Sequence, residues 1–182
     1  MSTYHHGDLR AAVLGAASKI IEKQGLSGLS VREAARRAGV SHNAPYRHFP
    51  DRDALLAALA TEGFSQLGKA LENRSGREMG EAYVRFALER PQRFRLMFGG
   101  LLGVERYPEL QAQAAATYGK LEKAFAERGA EAQFAAAAAW SLVHGLALLL
   151  LDGHFAEAGS SDAFVSKVLS AVRFAVGAQP SA

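Results

Sequence analysis

The sequence predicts an all-α protein of about nine helices, in which an N-terminal three-helix unit carrying a helix-turn-helix precedes a larger helical domain. Three observations carry this prediction. Apolar residues recur at spacings of three and four along most of the 182-residue chain, as on one face of a helix. No segment sustains the period-two alternation of a half-buried strand. Between the apolar patterns stand Gly25, Gly39, Pro50, Pro91, Gly99-Gly100, Pro108 and Gly129, residues that start or stop helices.

Leu9, Val13, Ala16, Ala17, Ile20 and Ile21 define a first helix from Asp8 to Gln24, with Gly25 as its stop. Ser30-Val31-Arg32-Glu33 reads as a capping box, with the Ser hydroxyl accepting from the Glu33 N–H and the Glu reaching back. The second helix that follows has Val31, Ala34, Ala35 and Ala38 inside and Arg32, Arg36 and Arg37 outside, and ends at Gly39. Gly39-Val40-Ser41 is a turn, with Val40 as its buried plug and Ser41 as the N-cap of a third helix ending near Phe49. Helix, Gly-bearing turn and helix within twenty residues form a helix-turn-helix, whose second helix is the one that enters a major groove.

Pro50-Asp51-Arg52-Asp53 breaks the chain and caps a fourth helix through Leu55, Leu56, Leu59, Phe64 and Leu67 to about Leu71. Asn73 to Gly76 is a loop. Met79, Tyr83, Phe86 and Ala87 mark a fifth helix, and Phe94, Leu96, Met97 and Phe98 a short sixth. Pro108 opens a seventh, with Leu110, Tyr118, Leu121 and Phe125 inward and Gly129 closing it. The eighth is the apolar run from Ala132 to Leu151. The ninth runs from Asp162 to Val176 and carries Phe164, Val165, Val168, Leu169, Val172 and Phe174, leaving Gly177–Ala182 as a frayed tail. The domains are expected at residues 1–52 and 53–182.

Charge is distributed unevenly. The formal net charge is +3, and residues 1–55 hold eight Lys/Arg against five Asp/Glu, so the remainder is balanced. His5, His6, His42 and His48 lie at the same end, which a phosphate-rich partner would meet first. The chain has no cysteine, so it has neither a disulfide framework nor a thiolate metal site. The start MSTYHHGDLR lacks the basic start and continuous apolar run of a signal peptide, and a cytoplasmic location is expected. Residues 134–151 are free of formal charge, at the lower length limit for a membrane span. Their flanks are Glu131 and Asp152 rather than Lys or Arg, so a helix buried on most sides is the expected reading.

No nucleophile elbow, phosphate-cradling glycine loop, His-Glu-x-x-His pair or framed pair of carboxylates occurs, so an enzyme is not expected, nor is a cofactor or a metal. His144 and Asp152 lie two turns apart on nearly one side of a helix, but two groups do not make a metal site.

Ser30-Val31-Arg32, Ala38-Gly39-Val40-Ser41, Tyr46-Arg47-His48-Phe49 and Arg52-Asp53-Ala54-Leu55, taken together, resemble the DNA-binding signature of the tetracycline-repressor (TetR) family over roughly residues 8–60. Trp140-Ser141-Leu142-Val143-His144-Gly145 and the opening Tyr4-His5-His6-Gly7-Asp8-Leu9-Arg10 are similar to a subgroup named for a Trp, His, Gly motif. The resemblance implies that His42, Asn43, Ala44 and Arg47 face base edges. Chemistry agrees for Arg47, which can pair bidentately with guanine, and for Asn43, which can pair with adenine. It implies phosphate contacts for Tyr46, His48 and Arg52, helix caps at Ser30 and Ser41 that aim N–H groups at the backbone, and a base or phosphate contact for Arg32. It further implies that Phe49 locks the reading helix onto the first.

One departure stands out. Pro45 occupies the core-facing place where the family usually has an apolar residue such as Leu. With no N–H it cannot close a first turn capped by Ser41, and it biases Ala44 away from helical geometry, so the helix begins either at Ser41 or nearer Asn43.

By the same resemblance, a small-molecule effector binds between the fourth and eighth helices, with Phe64, Tyr83, Phe86, Met97, Phe98, Tyr118, Trp140 and His144 as candidate lining residues. Each of these can equally be filled core, and His144 a hydrogen-bonded core histidine. The expected function is a ligand-responsive repressor that binds a palindromic double-stranded DNA operator as a homodimer through the eighth and ninth helices. Two other classes stay open on the residues alone: an effector-independent DNA binder, and an all-α interaction or membrane-associated protein that keeps the helix-turn-helix as scaffold.

Overall fold

The structure is a computed structural model that describes residues 6–155 and 162–171. Among these residues the chain forms helices and no strand: α1 (His6–Gln24), α2 (Val31–Ala38), α3 (Arg52–Leu71), α4 (Gly76–Glu89), α5 (Pro91–Phe98), α6 (Pro108–Ala124), α7 (Ala132–Leu151) and α8 (Asp162–Ala171). The sequence predicts one more. Its expected third helix is a single 3-10 turn over Ala44–Arg47: an α-helix capped at Ser41 would take its first i→i−4 bond from the N–H of residue 45, which Pro45 lacks, and the segment that remains is one short turn. Residues 1–5, including Tyr4 and His5, the stretch Val172–Val176 of the expected ninth helix, and the tail Gly177–Ala182 lie outside the described residues.

The helices fall into two compact units. One comprises the chain up to Ser65 with Arg90–Ala114, the other Gln66–Glu89 with the residues from Ala115 onward.

In the first unit α1 packs on α2, on α5 and on the 3-10 turn. The three-and-four spacing of its apolar residues becomes a buried stripe of Val13, Ala16, Ala17, Ile20 and Ile21. Ser30 caps α2 as expected, its Oγ accepting from the Glu33 N–H at 3.1 Å. The return half of the expected box is replaced: the Glu33 carboxylate is held by Arg36 and Arg37 instead. Gly39 ends α2 with φ 70°, and the N–H groups of Gly39 and Val40 bond back to Arg36 and Ala35, a closing turn that only a residue without Cβ adopts cheaply. Val40, the expected plug, is only half-buried. The cap of α3 is Asp51, whose Oδ1 accepts from the Ala54 N–H at 2.7 Å.

One polar cluster ties α1, α3 and α5 together. The Glu22 carboxylate accepts from the backbone N–H groups of Gln92 and Arg93, at 3.2 and 3.0 Å, and so caps α5 from outside its own sequence. The Arg93 side chain, only 2% exposed, donates to Ser18 Oγ at 2.5 Å and pairs with Glu62 at 3.5 Å.

In the second unit α4 packs against both α7 and α8. The approach is close at Gly80, where a Cβ would stand 3.1 Å from Leu169 and 3.2 Å from Val143. The expected closure of the seventh helix at Gly129 comes earlier: α6 ends at Ala124, and a 3-10 stretch, Ala126–Glu131, follows. Within that stretch Gly129 takes φ 57° and ψ −125°, a conformation reserved for glycine. Lys120, on the part of α6 in this unit, donates to the Gly68 carbonyl at 3.0 Å and pairs with Glu72.

The apolar helix α7 departs from its predicted burial on most sides. It buries one stripe, Ala136, Ala139, Val143, Leu146, Ala147 and Leu150. Phe134 and Leu149 are 62% and 42% exposed. Hydropathy reports how apolar a helix is, not how many of its sides meet a neighbour from the same chain.

Removing the buried cation tests the cluster at α5. Arg93→Ala is expected to lower unfolding stability by about 2 kcal/mol, less than the roughly 3–5 kcal/mol of a fully buried pair because Glu62 is 42% exposed and can rehydrate. The effect should appear as a lower urea midpoint with an unchanged slope.

Candidate nucleic-acid interface and effector site

The reading element is built on two anchors. Pro45 and Phe49 are fully buried, and burying an aromatic such as Phe49 contributes about 2–3 kcal/mol. The Pro45 carbonyl accepts the N–H groups of both His48 and Phe49 at 2.9 Å, which folds the end of the turn onto its start. Arg10 of α1 lies over the Phe49 ring, its guanidinium carbon 5.8 Å from the ring centre. Phe49 thus holds the turn to α1.

The remaining residues of the stretch face outward. Ser41, His42, Asn43, Tyr46 and Arg47 are exposed, while Ala44 and His48 are half-buried. Ser41 is not the cap that the sequence predicts. Its carbonyl accepts the Ala44 N–H at 3.1 Å, Asn43 takes the capping place, and no side chain closes the N-terminus of the turn. Of the two starts open on the sequence, the later one near Asn43 is the one the structure adopts. His48 stacks at a tilt beside Phe49, ring centres 6.3 Å apart.

On α2, Arg32 is exposed, and Arg36 and Arg37 converge on Glu33 at 2.8 and 2.6 Å. Hydrogen bonds from Arg36, then Arg37, hold the Glu33 carboxyl at a pKa of about 2. This fork is legible in the sequence only as spacing, since residues three and four apart on a helix are neighbours. Arg52, for which the resemblance implies a phosphate contact, also bonds within the chain: its Nε donates to the Leu29 carbonyl at 3.0 Å and its terminal nitrogen to that of Leu26 at 2.7 Å. These bonds tie the start of α3 to the segment between α1 and α2.

The candidate effector residues divide between the units. In the first, Phe64 meets Phe98 edge-on at 5.2 Å, Phe98 meets Phe94 at 4.9 Å, and Met97 is buried beside Gly63. The second unit holds Tyr83, Phe86, Tyr118, Trp140 and His144. Trp140 Nε1 donates to the Tyr83 hydroxyl at 3.0 Å, that hydroxyl lies 2.8 Å from His144 Nδ1, and Tyr118 packs on Trp140 at 5.5 Å. Phe86 is buried. Burial pushes the Tyr83 hydroxyl up from its usual pKa, with the Trp140 N–H acting in the opposite direction. Tyr83 therefore keeps its proton, and the direction of its hydrogen bond with Nδ1 follows the tautomer of His144. An open depression elsewhere in this unit is lined by charged side chains such as Glu78, Glu81 and Arg85, and by none of the candidate residues.

Burial also pushes the His144 pKa below its usual value. As pH falls through about 6.5 the unfolded chain takes up this proton before the folded one does, so the stability contribution is full above that pH and is lost below it. His144→Gln, which still bonds to Tyr83 but does not titrate, is expected to lose less stability than the parent between about pH 7.5 and pH 5.5, measured by urea midpoints.

Comparison with known proteins agrees with this architecture. Residues 13–59 match the family described as bacterial regulatory proteins, tetR family, and residues 77–172 match the tetracyclin repressor-like, C-terminal domain. No curated protein matches the chain. Among solved structures, a protein of unknown function from Rhodococcus sp. RHA1 is 34% identical, with 94% of this chain and 96% of that chain covered and a TM-score of 0.79. SCO4313, named as a regulatory protein, is 26% identical over 92% of this chain and 97% of that one, with a TM-score of 0.74. PfmR from Thermus thermophilus, a TetR family transcriptional regulator, shares the fold at 24% identity and a TM-score of 0.57, with 87% and 93% covered. With its reading turn held on a buried Pro45 and Phe49, and both of its domains matched, the chain belongs to the TetR family of transcriptional regulators.

Proposed function

We propose that the protein is a cytoplasmic, ligand-responsive repressor that binds a palindromic operator as a homodimer, with no catalytic role. The observation that carries the DNA-reading part is the outward set Asn43, Tyr46 and Arg47, standing on a turn whose inner side, Pro45 and Phe49, is fully buried. Polar and cationic side chains are thereby offered to a groove on a rigid support. Arg47 is the base reader, with His42 and Ala44 beside it. Tyr46 and His48 contact phosphate, Ser30 aims the N-terminus of α2 at the backbone, and Arg32 adds charge. Arg52 is assigned both to holding α3 in place and to phosphate.

A single reading turn meets only a few base pairs, so useful specificity needs two, one helical turn of DNA apart. The uncovered side of α7 supports self-association: its chain segment has a mean hydropathy of 2.0, yet only 33% of it is buried. A second copy meeting α7 and α8 would cover Leu149 and Phe134 in a two-fold helical interface. The effector is placed at the Tyr83, Trp140 and His144 network, where two aromatic faces and hydrogen-bonding groups meet in an otherwise apolar helix packing. An effector that binds better to the dimer geometry with misplaced reading turns would release DNA in proportion to that difference. The Trp140 to Gly145 motif supports placing the chain in the subgroup named for Trp, His and Gly.

Two experiments test this reading. On an operator selected from random duplexes, Arg47→Ala should weaken binding about 10- to 100-fold and relax base preference, and Tyr46→Phe should weaken it equally across sequences; no change in either variant refutes the assignment. Sedimentation should find the parent dimeric and Leu149→Glu monomeric with poorer operator binding, whereas a monomeric parent removes the dimer model.

A further inference from the structure

The 3-10 turn changes which side chains share a row. Successive residues turn by about 120° in a 3-10 helix and about 100° in an α-helix. On an α-helix, Asn43 and Arg47 would stand about 40° apart and read neighbouring base edges. On the observed turn they stand about 120° apart, Asn43 eclipses Tyr46, and Ala44 eclipses Arg47. Exposure agrees for the Asn43 and Tyr46 pair, while the two fully buried anchors, Pro45 and Phe49, lie four residues apart. The bonds from Ser41 to Tyr46 are those of a 3-10 turn, Ala44 N–H to the Ser41 carbonyl at 3.1 Å and Tyr46 N–H to the Asn43 carbonyl at 3.4 Å. The end of the turn is closed by His48 and Phe49 N–H on the Pro45 carbonyl, three and four residues back.

The geometry points to Pro45 as a specificity-determining positioning residue: by enforcing the 3-10 turn it moves Asn43 out of the Arg47 row and beside Tyr46, so that Asn43 contacts the phosphate backbone and base reading falls to the Ala44 and Arg47 row. This rests on the DNA-reading function proposed above. The four-residue turn rises about 8 Å, roughly two base-pair steps, against about 12 Å for an eight-residue α-helix. The directly read half-site is correspondingly short. Pro45 itself, being buried, touches no DNA.

The test uses the full-length chain. An operator is first selected from random duplexes with the parent protein, and affinities of the parent, N43A and R47A are then measured on that operator and on its single-base-pair variants at fixed salt. N43A is expected to weaken binding to every variant by one common factor, about 3- to 10-fold, with the rank order of sequences unchanged, while R47A flattens discrimination at one base pair of each half-site. N43A that flattens discrimination at any base pair, or that leaves binding unaltered, overturns the inference while leaving the function standing. A parent that selects no sequence overturns the function itself. A second arm uses P45L, which restores the N–H and permits an α-helix. It is expected to select a different half-site, and retention of the parental half-site counts against the inference. Where P45L gives no cooperative thermal transition, the N43A and R47A pair decides alone.

Discussion

The proposed DNA-facing end of this protein depends on the burial of Pro45 and Phe49 beneath a turn of four residues. Such a turn has no stability of its own, since a hydrogen-bonded nucleus fixes several dihedrals for each bond gained. Its position is therefore imposed by packing. Pro45 and Phe49 supply the inward volume, α1 and α2 supply the surface they press against, and the Pro45 carbonyl gathers the two N–H groups that close the turn. The outward residues inherit their directions from that arrangement. The Asp51 cap and the Arg52 bonds to the Leu26 and Leu29 carbonyls fix the next helix relative to the same platform.

How much of the fold is legible in the sequence follows from which physics is local. The limits of α1, α2, α4, α5 and α7 are readable within a few residues because caps, glycines and prolines act over one turn of chain. The Ser30 cap and the Gly39 stop are of this kind. The third helix differs in type from its expectation: Pro45 flags that it starts late, while the extent of the short turn that remains depends on what its buried side must fit. Ser41 differs for the same reason, its carbonyl being used where its hydroxyl is expected. Arg52, the Glu22 cap on α5 and the buried Arg93 are invisible in the sequence for a different reason. Each joins residues more than twenty positions apart, and neither composition nor period records such partners.

The candidate effector residues illustrate a second limit. Tyr83, Trp140 and His144 stand out singly as aromatic or polar residues in apolar helices, with no sequence signal that one hydroxyl links the other two. The link matters because one buried hydroxyl joins the indole of Trp140 and the imidazole of His144 into a single polar network. Similarly, the apolar composition of α7 is plain, but its exposure depends on how few neighbours the chain supplies. An uncovered apolar side of this kind is what the proposed second subunit would cover.

The claim on which the rest turns is that the basic N-terminal third meets DNA phosphates. The salt dependence of duplex binding by the full-length protein tests it most directly. Phosphate neutralisation by two reading elements predicts that log K falls linearly with log salt, with a slope of roughly −4 to −8. No binding to duplex DNA at low salt, or binding indifferent to salt, would contradict it.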